Sequence, residues 1–342
     1  MLHHPSERYP HRPRLSKPSC LIAWLTLCLL LPTACGQSDS SSATKSKAKG
    51  KSVSAPYELL VVCNKEWLGT SAADPFNTLL HTEVPALPQS EPLFRLTTIN
   101  PSAFSKSFQF YANILRADIS SHYETASCQW SKDAYCSPQL IATLTAPTQA
   151  AFDSLLQRYG ESILQAFVDQ ELQQEEARLK RKHSQQALRG AKDLFGITLY
   201  APAEIDALKT GDHFLWASSN NTEENYYNLV LYSYPLPVGD WQRHRDEAMR
   251  PYITGQTPGS YMSLDTTLLI SRSVEVHGRE VLEVRGLWQM EHAAMGGPFI
   301  SHTYADTLHQ RVLVAEAFVF APGKDKRTYM RRLEAALHTI QP

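Results

Sequence analysis

Residues 264–290 read LDTTLLISRSVEVHGREVLEVRGLWQM. Leu268, Ile270, Val274 and Val276 alternate with Ser271, Ser273 and Glu275. That period of two is the mark of a half-buried strand. His277-Gly278 interrupts the run with a two-residue turn signal, and Leu282, Val284, Trp288 and Met290 resume it. A β-meander is predicted, continued by strands over 298–304 and 311–321. The last of these is nearly all apolar, which places it centrally with both faces covered. Residues 324–340 close the chain as an amphipathic helix with Met330, Leu333, Leu337 and Ile340 on one stripe.

Upstream, strands are expected over 197–200, 214–218 and 228–234, and Asp240 caps a helix running to about residue 253. Before them, Phe152, Leu155, Leu156, Tyr159, Ile163 and Phe167 follow a period of 3.6. They predict one long helix from about 148 to 191, with Gly196 as its stop. Further strands are expected over 57–64, 93–99, 112–119 and 139–146. Asn100-Pro101 reads as a helix start, with Phe104 and Phe108 on a shared face. The expected fold class is α+β: mostly antiparallel sheet with a C-terminal β-meander, one long central helix and a closing C-terminal helix. An N-terminal lobe spans 57–195 and a C-terminal lobe 196–342.

The first 34 residues read as an address. Arg8, Arg12, Arg14 and Lys17 precede CLIAWLTLCLLL (20–31). Twelve apolar residues are too few to span a bilayer core, which takes about 20 helical residues, and they suit the apolar stretch of a secretory signal. Pro32-Thr33-Ala34-Cys35 then resembles a bacterial lipobox, with Pro32 where leucine is usual. Residues 1–34 are expected to be a lipoprotein signal peptide, with Cys35 lipidated. An ordinary cleavable signal is the alternative. Residues 35–56 are rich in Ser and Lys and read as a flexible tether. The expected place is the cell envelope, anchored to the membrane through Cys35, with the outer membrane favoured and its face left open.

Lys and Arg number 33 against 34 Asp and Glu, which excludes a strongly basic nucleic-acid binder. Cys63 lies in ELLVVCN and reads as a small buried hydrophobe. Cys128 and Cys136 sit eight apart in SCQWSKDAYC, a hairpin or loop where an oxidising envelope permits a disulfide.

No GxSxG elbow, phosphate loop, GxGxxG or HExxH occurs in the sequence. Four features remain. Glu291, His292 and His302 flank Gly296-Gly297; two imidazoles and a carboxylate suit zinc binding or acid–base work, and paired glycines suit close backbone approach. A tight wetted turn is the other reading of the same residues. Arg272 and Glu316 fall on apolar strand faces, as a cross-strand ion pair or the lining of a polar pocket. Trp216, Tyr226, Tyr227, Tyr232, Tyr234 and Trp241 form an aromatic cluster of the kind that binds sugars or proteins, or fills a core. His277-Gly-Arg-Glu280 is explained by a hairpin turn.

Several stretches resemble a family of uncharacterised lipoproteins of Gram-negative gut and oral anaerobes, classed as a domain of unknown function. They are YELLVVCNKEW (57–67), LPQSEPLF (87–94), NILRADI (113–119), GSYM (259–262), RGLW (285–288), AMGGPFISHT ending at Thr303, and FVFAPGKDKR (318–327). The resemblance implies a lipid-anchored envelope protein and no particular activity. It also implies O-glycosylation acceptors at Asp153-Ser154-Leu155, Asp265-Thr266-Thr267 and Asp306-Thr307-Leu308, with Ser154 expected on a packed helix face. The leading expectation is a non-catalytic binding module for an envelope protein or glycan. Next comes a structural or assembly role in the outer membrane. A hydrolase or metal-dependent enzyme using Glu291, His292 and His302 follows. No cofactor is implied.

Overall fold

The computed structural model describes residues 50–219 and 226–341. Residues 1–34, where a signal peptide is expected, and Cys35 lie outside the described residues. The apolar run Leu59-Leu60-Val61-Val62 forms β1 (Glu58–Val62). It is buried on both sides because β1 is the inner strand of a largely parallel sheet. β2 (Arg95–Ile99) and β3 (Asn113–Ile119) pair with it in parallel. β5 (Leu140–Ala146) adds in parallel to β3, and β4 (Ser127–Lys132) adds antiparallel at the edge. The order is β2-β1-β3-β5-β4.

After β1 the chain runs through α1 (Lys65–Leu68) and α2 (Asp74–Leu80), whose Phe76 and Leu80 pack on one face with Leu59 and Val61. After β2 it crosses the opposite face through a 3-10 turn and α3 (Lys106–Gln109). There Phe104 and Phe108 cover Leu60, Val62 and Ile114. The Asn100-Pro101 start therefore makes only a short turn, Pro101–Ala103, and Asn100 does not cap it. Its side-chain oxygen instead accepts from the backbone N–H of Lys65, 2.8 Å away.

The long helical pattern divides in two. α4 (Gln149–Arg181) ends at Lys182, and Ser184 then caps α5 (Gln185–Phe195) by accepting from the Ala187 N–H. Gly196, at φ 68°, stops α5 in the left-handed conformation.

The second sheet is wholly antiparallel. It comprises β6 (Ala207–Gly211), β7 (Phe214–Ser218), β8 (Tyr226–Pro235), β9 (Met262–Val276), β10 (Arg279–Met290), β11 (Ala293–Asp306) and β12 (Arg311–Phe320). The order is β6-β7-β8-β12-β11-β10-β9. His277 and Gly278 make the β9–β10 turn with φ of 49° and 77°, the paired positive values of a type I′ turn. β12 is central, and both its faces are buried. α6 (Trp241–Met249) covers one face of this sheet, and α7 (Arg327–His338) covers the other. Seven of the ten strand pairings in the two sheets are antiparallel.

One apolar core joins the two halves. Val61, Leu115 and Phe152 belong to the same buried cluster as Leu229, Ala315 and Leu333. The described residues fall within a single compact unit. α7 lies against α4, and Arg332 of α7 pairs with Glu175 of α4 at 3.1 Å. No helix among the described residues is long and apolar enough to cross a membrane.

Candidate functional site

Strand parity brings six apolar side chains to one end of the α6-covered face. Trp216 comes from β7, Trp288 and Met290 from β10, Met295 from β11, and Phe318 and Phe320 from β12. Ile253 and the Thr254-Gly255-Gln256 segment after α6 close the opposite wall. Together they line a cleft of about 600 Å³, the size of a small-ligand site. Its polar lining is neutral: Ser218, Ser219 and Asn228 join those loop residues. Asn228 accepts from the Trp216 indole N–H at 3.0 Å, which fixes that ring at the mouth. None of the described residues lining the cleft carries an ionisable side chain. The walls offer dispersion, stacking and neutral hydrogen bonds.

The paired glycines serve this cleft from behind. A Cβ on Gly297 would fall 2.1 Å from the Val319 carbonyl oxygen and 3.2 Å from the Trp288 indole nitrogen. Only glycine leaves room there for Trp288, whose N–H reaches the Val319 carbonyl at 3.3 Å. At Gly296 a Cβ would fall 2.8 Å from the Trp288 carbonyl oxygen. The close approach expected of this pair is thus to their own neighbouring strands.

Glu291, His292 and His302 are not brought together. Glu291 and His292 form the β10–β11 turn, where Glu291 accepts from the Ser263 hydroxyl at 2.6 Å and His292 has φ 62°. His302 pairs in register with Glu283, eight residues before Glu291 on β10. At about 3.3 Å per residue the separation is roughly 26 Å. No group of three or more His, Cys, Asp or Glu that could hold a metal occurs among the described residues.

His302 belongs to a buried charged network instead. Its Nε2 lies 3.4 Å from Glu283, and its ring stacks on His338 at 5.5 Å. Arg285 donates to both Glu283 and Glu334, and Arg331 donates to Glu334 at 2.8 Å. Arg272 also reaches Glu283, at 2.7 Å. Burial alone would raise the Glu334 carboxyl, but Arg285 and Arg331 outweigh it and hold it at about 2. Burial drives the His302 imidazole below its ordinary value, more than Glu283 raises it. The network ties α7 to β9, β10 and β11.

Arg272 and Glu316 do not pair with each other. Arg272 stands on the exposed edge strand β9, its side chain half exposed. Glu316 is buried without exposure and meets Arg245 of α6, whose Nε and Nη2 donate at 2.9 and 2.7 Å. Arg245 escaped the sequence reading, although it lies on the Trp241–Arg245–Met249 stripe that faces the sheet.

The aromatic cluster also divides. Tyr232 is buried under α6, its hydroxyl without a partner among the described residues. Tyr234 stacks on His244 with ring centres 3.7 Å apart, and Trp241 lies flat against Phe299. Tyr227 faces the other side, against Tyr329 and Arg332. The side chain of Tyr226 lies outside the described residues. Trp216 alone of the cluster's described side chains lines the cleft.

The thiols of Cys63, Cys128 and Cys136, the cysteines among the described residues, are free. Cys128 sits on β4 opposite Leu144, and Cys136 lies in the β4–β5 connection beside the carbonyls of Gln109 and Tyr111. The expected disulfide is not formed: Cys128 lies near the start of β4, while Cys136 sits beyond the strand's end, against the Gln109 and Tyr111 carbonyls. Burial pushes the Cys63 thiol up to about 11, away from nucleophile chemistry. Ser154, Thr266 and Thr307, the expected acceptors, are all exposed residues, Ser154 included, contrary to its expected packed position.

Two sequence families match. Residues 52–180 match the family described as Domain of unknown function (DUF8532), and residues 184–339 match Domain of unknown function (DUF4837). Two domains of unknown function cover most of the chain. The boundary between them falls at the break between α4 and α5. No curated protein matches. Among solved structures, the chain is similar to the Saccharomyces cerevisiae Ran-binding protein Mog1p and to a mutant of Mog1. Each matches at 12% identity and TM-score 0.29, covering 43% of this chain and 92% of that one. A Bacteroides thetaiotaomicron protein matches at 8% identity and TM-score 0.24, covering 42% of this chain and 44% of that one. At these scores the likenesses carry no argument about function.

Proposed function

We propose that this chain is a lipid-anchored protein of the cell envelope whose folded part is a non-catalytic binding module. The aromatic cleft at Trp216, Trp288 and Phe320 receives an apolar side chain presented by an envelope protein. The carrying observation is the composition of the cleft wall: aromatic and thioether groups with a neutral polar rim. Such a wall gains from burying apolar surface, at about 25 cal/mol per Å². The described lining supplies no group to move a proton. Aromatic and methionine side chains are the types that dominate protein recognition sites. The lipobox-like Pro32-Thr33-Ala34-Cys35 supports the anchor, and the signal-like segment before it supports export to the envelope.

Two experiments test this. A photo-crosslinking residue at Met295, on the cleft wall, should capture an envelope protein in living cells, and Trp216→Ala should abolish the capture while circular dichroism shows the variant still folded. Capture that survives Trp216→Ala would place the partner elsewhere. For the anchor, a palmitate analogue should label the protein, and Cys35→Ser should remove the label and release the chain from the membrane fraction. Labelling unchanged by Cys35→Ser would overturn the lipoprotein reading.

A further inference from the structure

A second cleft, of about 590 Å³, opens on the first sheet, distinct from the aromatic one. It lies outside the carboxyl ends of the parallel strands. Asn64 follows β1, Asn100 follows β2, Asp118 is near the end of β3, and Gln149 begins α4. The chain leaves β1 over one face of the sheet and β2 over the other. Connections that part in this way leave a crevice at the carboxyl edge, the usual ligand position in parallel sheets.

The chemistry of the lining narrows the ligand. Phosphate binding at such a crevice relies on free N–H groups at a helix start. Here they are largely taken: Asn64 accepts from Glu66 and Trp67, Asn100 from Lys65, and Thr148 from Ala151. The lining carries Glu66 and Asp118 and no Lys or Arg, which also disfavours an anion. With both side-chain oxygens spent, Asn64 and Asn100 keep amide NH₂ groups that make no hydrogen bond among the described residues. Both side chains are exposed, so these amides offer a ligand two donors in exchange for water, which a bare cation could not use. Among the described residues the Glu66 carboxylate has no partner, and Asp118 accepts from Tyr123 alone, at 2.6 Å. Trp67, held by its N–H to Gln149 at 2.8 Å, forms an apolar wall. Planar amides, carboxylates and an indole suit one ligand class: vicinal hydroxyls that both accept and donate, on a ring with a C–H face.

We propose that the cleft at the carboxyl edge of the first sheet binds a saccharide, whose hydroxyls donate to Glu66 and Asp118 and accept from Asn64 and Asn100. The test is saturation-transfer NMR and calorimetry on the full-length protein in detergent. The probes are glucose, galactose and N-acetylglucosamine, with inorganic phosphate and spermidine as the anionic and cationic alternatives. At least one sugar should bind at about millimolar concentration. Glu66→Ala and Asp118→Ala should each weaken it by about tenfold or more with unchanged melting, because each removes a charge-assisted hydrogen bond. Trp216→Ala should leave sugar binding intact, which separates this site from the aromatic cleft. Failure of all three sugars to bind would overturn the proposal. So would binding of phosphate or spermidine in their place, or sugar binding lost in Trp216→Ala but retained in Asp118→Ala.

Discussion

Glu91 caps a helix that begins 236 residues further along the chain: its carboxylate accepts from the backbone N–H of Lys326 at 2.6 Å and of Arg327 at 2.9 Å. Helix α7 has no side-chain cap of its own, and the positive end of its dipole is met by this buried acid. Glu91→Ala is expected to lower stability by about 1–2 kcal/mol, with Glu91→Asp recovering part of the loss. Chemical denaturation of the three proteins checks it. An Ala variant as stable as the parent would show that water replaces the cap at no cost.

The Arg245–Glu316 pair makes a sharper prediction. Both side chains are wholly buried, so removing one strands the other. Glu316→Ala or Arg245→Ala is expected to cost about 3–5 kcal/mol, while Arg245→Leu with Glu316→Leu is expected to cost much less. Denaturant midpoints of the two single variants and the double variant measure the coupling.

Acid should unfold the protein from a defined direction. Glu334 is held at about 2 in the fold against an ordinary 4.5, so its stabilisation is complete above the unfolded value and lost as pH falls through that window. Glu283 is lowered in the same direction, Arg285 and His302 outweighing its burial. His302 adds to this: its lowered value means the unfolded chain takes up a proton first, starting near 6.5. Melting temperature should therefore fall steadily from about pH 6.5 downward and steeply below about 4.5. Glu334→Gln should start lower and show a shallower acid limb. A melting temperature flat from neutrality to about pH 3 would remove the network from the account.

Tyr232 offers the opposite sign. Its hydroxyl is buried with no partner among the described residues, a burden of about 1–3 kcal/mol. Tyr232→Phe is expected to leave stability unchanged or raise it by about 1 kcal/mol. A loss of 1 kcal/mol or more would mean that a buried water or ligand holds the hydroxyl.

The elements that patterning exposed were those with one strong period. The His277-Gly278 hairpin, the β12 run and the α7 stripe all stand where alternation and amphipathicity put them. Two edge strands, β4 and β6, escaped because half-exposed edges carry a weak apolar signal. Neither cleft was readable as a whole. The aromatic one collects residues from five strands through register, and register depends on pairings distant in sequence. Trp216 was visible alone; Trp288 and Phe320 become wall residues only once β10 and β12 are in place. The crevice at Asn64, Asn100 and Asp118 depends on strand order, which single residues do not encode. The buried partner of Glu316 was missed because charge on a helix stripe reads as solvated until the helix is docked.

The break between α4 and α5 separates two sequence families, yet physical dependence crosses it. The last turns of α4 carry Leu172 and Leu179 into a core completed by α7, and the Glu91 cap reaches across as well. The two halves cannot be exchanged freely over evolutionary time. A lineage that joined either half to a new neighbour would inherit a bare apolar helix flank on one side and an uncapped helix start on the other. Such shuffled genes would survive only with polar replacements at the Leu172 and Leu179 positions and a new N-cap ahead of the closing helix.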